Sequence, residues 1–414
     1  MSETLRSTSM LEVNEFLVLD FVRQRGETTR VDIAQQLGLS ASSVSRIIRR
    51  LEASGSVTEG PGESTGGRPR SVVSFNTLAG VVLGVDLGGT KCHGVVADLG
   101  GTVLADEVRP TSQEGAPYST LLGVLDALSA HARAAGQDIR ALAVGIPAYI
   151  DPDTGLATGG PNVHWQGFPL SKELAAHVAA PFAIENDANL AALAHAWRGD
   201  ARDCQDFVAI NIGTGIGAGV VIDGRLARGR NNAAGEVGYL VLSRGQLGDS
   251  GGDGLGGFER VASGPAIAAR AKALLRETHL PSVLRDGPVT AGAVFTAAQD
   301  GDVLALRLVN AVLDRVAIAI INVAAVANPE RVVLDGSVGR ALSPWLDELS
   351  TRIAPHLPAP PSIVVSSLGA YATVFGAVAA ALQLTRRQRE PAHLTSVLDV
   401  RPLQRRRGQG VVVA

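Results

Sequence analysis

The stretch 183-AIENDANLAALAHAW-197 sets Glu185, Asn186, Asp187 and Asn189 between an apolar approach and an alanine- and leucine-rich helix. Polar side chains at the entrance to a core are costly unless they bond something. Asp187 can take a proton from a substrate, hold a ligand, or cap the helix that follows. Which of these it does depends on what the rest of the chain brings to face it.

Two other stretches read alike, 82-VLGVDLGGTKCHGVVAD-98 and 207-FVAINIGTGIGAGVVID-223. Each is a strand, a Gly/Thr-rich turn after Asp or Asn, and a second strand. Such hairpins exclude Walker and Rossmann loops, which join a strand to a helix. Turns of this kind offer backbone N–H groups and a threonine hydroxyl to an anion. Gly88, Gly89 and Thr90 in the first and Gly213, Thr214 and Gly215 in the second are the candidate phosphate-binding residues. One such hairpin alone is more often a plain turn; two copies predict a pair of lobes with phosphate or sugar bound in the cleft between them.

The elements that must position these residues belong to a chain of 414 residues, 46% hydrophobic and 19% charged, long enough for several domains. A net charge of −3 argues against wholesale coating of nucleic acid and leaves room for a local basic face. Two cysteines, Cys92 and Cys204, make neither a disulfide framework nor a cysteine-rich metal site, which points to a reducing compartment. The N-terminus lacks a signal-peptide pattern, and the apolar run 316–327 falls short of the roughly 20 residues that span a bilayer. A cytoplasmic protein without a membrane segment is expected, with residues 316–327 in a buried helix.

The first residues read differently from the rest. Three helical patterns cover 10–26, 29–38 and 40–55, each ending at glycine, in helix-turn-helix order. In the third, Val44, Ile47, Ile48 and Leu51 share a packing face, opposite Ser42, Ser45, Arg46 and Arg49. Hydroxyls and guanidinium forks suit a helix that enters a major groove. With Arg50 they form the candidate DNA-reading set; the plain alternative is a three-helix knot with a solvated basic face. Two β-rich runs follow in 56-SVTEGPGESTGGRPRSVVSFN-76, joined by a loop carrying Arg68 and Arg70. This predicts a wing whose GGRPR tip suits a narrow minor groove, the alternative being a linker with incidental arginines.

From about residue 80 to 385 the chain resembles the ROK family (repressors, open reading frames, kinases). The resemblance rests on DLGGTK (86–91), GIPAYID (145–151), PN with a following Trp (161–165), ENDAN (185–189), GTGIGAG (213–219), GEVG (235–238) and GGFERVASG (256–264). It implies an α/β fold, a winged helix-turn-helix followed by a two-lobed actin-like sugar-kinase body. The head is similar to that of the regulator branch, typified by xylose and N-acetylglucosamine repressors. The expected domains are 1–78 for the head, 79–200 and 201–385 for the lobes, and 386–414 for a basic, disordered tail.

The resemblance implies that Asn162, Asn186, Asp187, Glu236 and Glu259 bind sugar hydroxyls, and a carboxylate can accept two of them. Asp187 would be the catalytic base of a kinase, with Asp86 near a magnesium-bound water and the two glycine loops on ATP. Plainer readings are an exposed acid for Glu236 and a helix N-terminus for Glu259.

Departures from the family pattern are informative. Many members hold a structural zinc by one histidine and three cysteines; here those positions align with Tyr239, Ser250, Gly252 and Gly257. No thiolate or imidazole remains, so zinc is expected to be absent and the loop to order by other means. Tyr239 keeps a hydroxyl and a ring that can stack on a sugar. Asp335, in 332-VVLDGSV-338, stands where kinases usually show Gly-Gly; unpaired, it would oppose ATP. The reading is a non-enzymatic regulator, a homodimer or dimer of dimers, binding operator DNA and a sugar or sugar phosphate with no required cofactor. An ATP- and magnesium-dependent sugar kinase that also binds DNA is the alternative.

Overall fold

The computed structural model describes residues 2–62, 70–111, 117–151, 154–158, 168–248, 254–387 and 389. Helices α1 (Ser2–Arg25), α2 (Arg30–Leu37) and α3 (Ala41–Ala53) form the head, with strands β1 (Glu27–Thr28), β2 (Val57–Pro61) and β3 (Ser71–Phe75) in sheet order β1-β3-β2. The turn between α2 and α3 is written locally. Thr29 caps α2 through the Asp32 N–H, Gly38 ends it in the left-handed region, and Ser40 caps α3 through the Ser43 N–H. Val44, Ile47, Ile48 and Leu51 are buried against Val18, Val22 and Ile33. The β2–β3 hairpin is the expected wing; the tip, with Arg68, lies outside the described residues.

The first lobe contains β4 (Val81–Leu87), β5 (Lys91–Asp98), β6 (Val103–Pro110), α4 (Pro117–Ala134) and β7 (Ile139–Ile146). A small pair, β8 (Tyr149–Ile150) and β9 (Ala157–Thr158), precedes α5 (Leu170–His177), β10 (Phe182–Asn186) and α6 (Asp187–Trp197). The second lobe begins with β11 (Phe207–Ile212), β12 (Ile216–Ile222) and β13 (Arg225–Ala227), followed by α7 (Glu259–Ala262), α8 (Gly264–Glu277), α9 (Ala291–Gln299) and α10 (Val303–Ala327). It closes with β14 (Arg331–Asp335), α11 (Gly336–Ala341), α12 (Leu346–Ile353) and β15 (Ser362–Val365), and the chain continues into α13 (Ala372–Arg387).

The duplication seen in the two glycine-rich stretches extends to whole sheets. Their orders, β10-β7-β4-β5-β6 and β13-β12-β11-β14-β15, are the same arrangement: a three-stranded antiparallel meander joined to two parallel strands. Both glycine turns sit in antiparallel hairpins, β4–β5 and β11–β12.

Packing does not follow the expected partition of the chain. Helix α13 lies on β4 and β7 of the first lobe, while α6 leans on β11 and β12 of the second. The two helices cross so closely that a Cβ on Gly376 would lie 1.8 Å from the Leu190 carbonyl oxygen. One apolar cluster therefore runs through both lobes, joining Val82, Ala143, Leu190, Val374 and Val378 to Ala209, Val221 and Val333. Sequence order assigned α13 to the second lobe; burial of its alanine-rich face assigns it to the first. The run 316–327 is the last part of the 25-residue α10, buried on one face and open to solvent at Asn322 and Val326. No helix among the described residues is long and apolar enough to cross a membrane.

Candidate functional site

The cleft is built where α6 leaves β10. Asn186, not Asp187, caps α6: its Oδ1 accepts the Ala188 and Asn189 N–H groups at 2.9 and 3.3 Å, and its Nδ2 donates to the Ala148 carbonyl at 3.3 Å. The Asn186 amide is thus committed largely to backbone. Asp187 accepts the Ala188 N–H on Oδ1 at 2.8 Å.

Four of the expected acids converge. Burial and the charge of Asp187 push Asp86 up to about 7, against the pull of Lys91. Burial pushes Asp187 up to about 6, against its bond from Ala188. Burial, then Asp187, then Glu259 raise Glu236. Glu259 is buried and accepts the Ile216 N–H at 2.9 Å, which ties α7 to the strand after the second glycine turn. Carboxylates crowded together offer several acceptor oxygens to the hydroxyl donors of a ligand.

Tyr239 is 55% exposed, and its hydroxyl donates to the Gly254 carbonyl at 3.0 Å. Burial of the hydroxyl, then Glu236 and Glu259, raise its pKa, which places it at the rim of the same cluster. Asn162 lies outside the described residues, as do His164 and Trp165. Of the zinc-equivalent positions, Ser250 and Gly252 also lie outside them. A phenol, a hydroxyl and two glycines do not suit zinc. The described part of this loop is stitched by Gln246, whose Oε1 accepts the Leu242 and Ser243 N–H groups at 2.6 and 3.2 Å while Nε2 donates to Gly257 at 2.7 Å.

The second glycine turn opens on a cavity of about 350 Å³ lined by Gly213, Thr214, Gly264, Ala268, Thr290 and Ser337. In the first turn Gly88 donates to the Lys91 carbonyl at 2.9 Å, leaving Gly89 and Thr90 exposed at the tip. A cavity beside a glycine turn and a helix start can accept a phosphorylated ligand.

Asp335 corrects an expectation. It is buried but paired: Oδ1 caps α11 through the Gly336 N–H at 2.7 Å and takes Arg340 Nη1 at 2.9 Å, and Oδ2 stands 3.5 Å from His195 Nε2. Burial alone would raise it; His195, the Gly336 N–H and Arg340 together hold it below the usual carboxylate range. The expectation rested on an unpaired acid, and Asp335 is paired by Arg340 and faces His195.

Sequence reading missed the groups that tie the lobes together. Glu185 accepts Asn189 Nδ2 at 2.9 Å and the Asn186 N–H at 3.1 Å on Oε1, while Arg228 of the second lobe holds Oε2 at 2.8–2.9 Å. Asn232 Nδ2 donates across the same gap to the Ile150 carbonyl at 2.8 Å. At the far end of α6, fully buried His195 stands between Asp200 at 3.3 Å and Asp335. The acidic residue before Asn186 was visible in the sequence; its partner 43 residues away carried no signal.

On the head, Ser42, Arg46 and Arg49 are exposed and Ser45 is partly covered. Arg49 Nε donates to the Ser45 carbonyl at 3.2 Å. Arg50 instead donates to Glu15 on α1 at 2.9 Å, which sets it apart from the reading face. Arg70 is exposed at the base of the wing.

Comparison with known proteins follows the same division. The ROK family profile matches residues 82–384, and the MarR family profile matches residues 11–66. A glucokinase of Halalkalibacterium halodurans is 31% identical over 308 residues, covering 71% of this chain and 92% of that protein. A xylose repressor of Caldicellulosiruptor bescii is 28% identical over 335 residues, covering 79% and 84%. Among solved structures, a ROK family transcriptional regulator described as a homologue of the E. coli MLC protein superposes with a TM-score of 0.78 at 24% identity, covering 91% of this chain and 97% of that one.

Proposed function

The chain belongs to the ROK family, and on that premise we propose that it is a sugar-responsive transcriptional regulator acting as a repressor. The observation that carries this reading is one chain holding both a winged helix with an exposed Ser42, Arg46 and Arg49 face and a cleft of converging carboxylates. Match to a xylose repressor along 79% of the chain supports it, as does the match of residues 11–66 to the MarR family profile. Asp187, Glu236 and Glu259 accept sugar hydroxyls, Asn186 fixes the backbone that presents Asp187, and Tyr239 covers the rim. Asp187 belongs to the α6 side of the cleft and the two glutamates to the second lobe, so one ligand bridges both and biases the lobes toward closure. The bias equals the ligand's preference for the closed form; a tenfold preference is about 1.4 kcal/mol. Two heads in a dimer, or four in a dimer of dimers, then read a two-fold operator in the cytoplasm.

The test is an electrophoretic mobility shift on the DNA upstream of its own coding sequence, with D-xylose, D-glucose, N-acetylglucosamine and their phosphates. A sugar-dependent change in apparent Kd is expected. DNA binding indifferent to every carbohydrate overturns the sensing half.

The kinase reading is favoured by a specific observation: the 350 Å³ cavity beside Gly213 and Thr214, with Asp335 neutralised. In that reading Asp187, raised to about 6, takes the proton of the acceptor hydroxyl. If ATP and magnesium bind, they supply the phosphoryl group and its charge neutralisation, with the glycine turns and Asp86 as the holding residues. A coupled ADP assay over the same sugars decides, with turnover expected to vanish in Asp187→Asn.

A further inference from the structure

Helix α13 does more than cover the first lobe. Its root follows the return crossing from the second lobe, where Ser367 bonds Asp200 and Arg340 reaches the Gly369 carbonyl. Its tip lies on the winged helix. Arg386 Nη2 donates to Asp20 Oδ2 at 2.9 Å, with the guanidinium 5.6 Å from the Phe16 ring centroid. Thr385 accepts from Arg23 Nη2 at 3.5 Å, and Arg23 lies over Phe75 at 4.7 Å. Arg389 donates to Ser56 Oγ at 2.7 Å. The contact therefore takes in α1 and the α3–β2 junction, two separate parts of the head, and Arg23 of α1 links it on to β3. Residues 386, 387 and 389, expected in a disordered tail, are ordered, and Arg386 and Arg389 hold this contact.

A second attachment lies at the linker. Leu99 donates to the Thr77 carbonyl at 2.9 Å, and Arg140 donates to the Ala79 carbonyl from Nη2 at 2.8 Å and Nε at 3.2 Å. Leu99 and Arg140 belong to the first lobe, as does the sheet beneath α13. A single covalent linker leaves a domain free to rotate, whereas two separated attachments to one body remove that freedom. Ser42, Ser45, Arg46, Arg49 and Arg70 take no part in either, so the docking holds the head without covering its reading face.

We propose that the tip of α13, through Arg386 and Arg389, is a docking surface for α1 and Ser56 that makes the head a rigid extension of the first lobe. Resting on the sensor reading, the consequence is that closure of the lobes turns the head relative to the second lobe as one body. The coupling then lies in α13 and not in the recognition helix.

The experiment uses the full chain with spin labels at Gln36→Cys on the head and Ala135→Cys on the first lobe, both exposed. Cys92 and Cys204 are buried, with thiols pushed up to about 12 and 11, and resist labelling. One narrow distance peak is expected in the parent, lost in Arg386→Glu with Arg389→Ala, and regained when Asp20→Lys is added to Arg386→Glu. Should the charge-reversed variant not fold, Arg386→Gln with Arg389→Gln is read in its place. A broad parent distribution, or a narrow peak that survives the substitutions, overturns the proposal. In a second arm, D-xylose, D-glucose and N-acetylglucosamine are tested for their effect on DNA binding. Where one of them acts on the parent, the undocked variant loses that response while keeping its thermal shift with the same sugar; a response kept in full overturns the coupling. If none acts on the parent, the sensor reading fails while the distance measurement still decides the docking.

Discussion

The two lobes carry one sheet twice, yet they treat a buried acid in opposite ways. On matching rungs, Asp86 of β4 faces Gly145 of β7, and Asn211 of β11 faces Asp335 of β14. In the first lobe the acid is among acids, with Asp187 beside it, and rises to about 7. In the second it has moved one strand over and sits between Arg340 and His195, which lower it. Burial and a neighbouring carboxylate disfavour the charged form, by more than Lys91 restores at Asp86; neighbouring cations favour it at Asp335. The second lobe's acid is bound into the structure, and the first lobe's is the one the proposed function assigns to a ligand site.

Removing the cation from the satisfied side gives the largest effect. His195→Ala leaves Asp200 and Asp335 without their shared partner and costs about 3–5 kcal/mol, read as the urea midpoint; unchanged stability would erase the distinction between the lobes. Arg228→Ala comes next, at about 2–4 kcal/mol, because Glu185 is left buried next to the Asn186 cap. Hydrogen exchange should rise first at the start of α6. The acid-rich side must respond with the opposite sign. Asp86→Asn relieves repulsion and stabilises the unliganded protein by on the order of 1–2 kcal/mol at pH 7, and a loss of stability there would contradict the pairing of Asp86 with Asp187. Smallest is Gln246→Ala, about 1 kcal/mol for the loop it stitches, with sugar affinity as the more sensitive readout.

Titration separates the two sides in one experiment. Asp86 and Asp187 hold protons more firmly folded than unfolded, so their contribution declines as pH rises from about 4 through about 6 and 7. His195, raised by Asp200 and Asp335 against its burial, contributes fully below its unfolded value and loses this as pH rises through its folded one. Asp200, held near 2 by His195 and Ser367 despite burial, and Asp335 act in reverse and lose their contribution only in acid. Asp86→Asn with Asp187→Asn should therefore flatten the thermal-stability profile between pH 4 and pH 7, and leave the decline that belongs to His195.

Much of this was readable in the residues. The order of α1, α2 and α3 follows from caps and glycines next to each helix, and the hairpins from glycine turns between apolar runs. Asp187, Glu236 and Glu259, named from the resemblance, lie close enough to act on one another. Sequence spacing misjudged Asp335 because its partners Arg340 and His195 arrive from α11 and α6. Asn186 was taken for a sugar ligand when it is chiefly the cap, since an amide at a helix start can serve either purpose. Arg50 shared a helix with the reading face but turned to Glu15.

What the sequence determined by itself is local: periodicity, caps, turns, and which chemical groups exist to be used. These depend on neighbours a few residues apart, whose geometry the backbone sets wherever the segment lies. Tertiary structure alone decided which acid is neutralised, which arginine crosses the cleft, and where the last helix ends. Burial energy depends on partners 140 residues apart in the case of His195 and Asp335 and 366 apart for Asp20 and Arg386. The packing of α6 on the second lobe brings the first pair together, and the docking of the α13 tip on α1 the second.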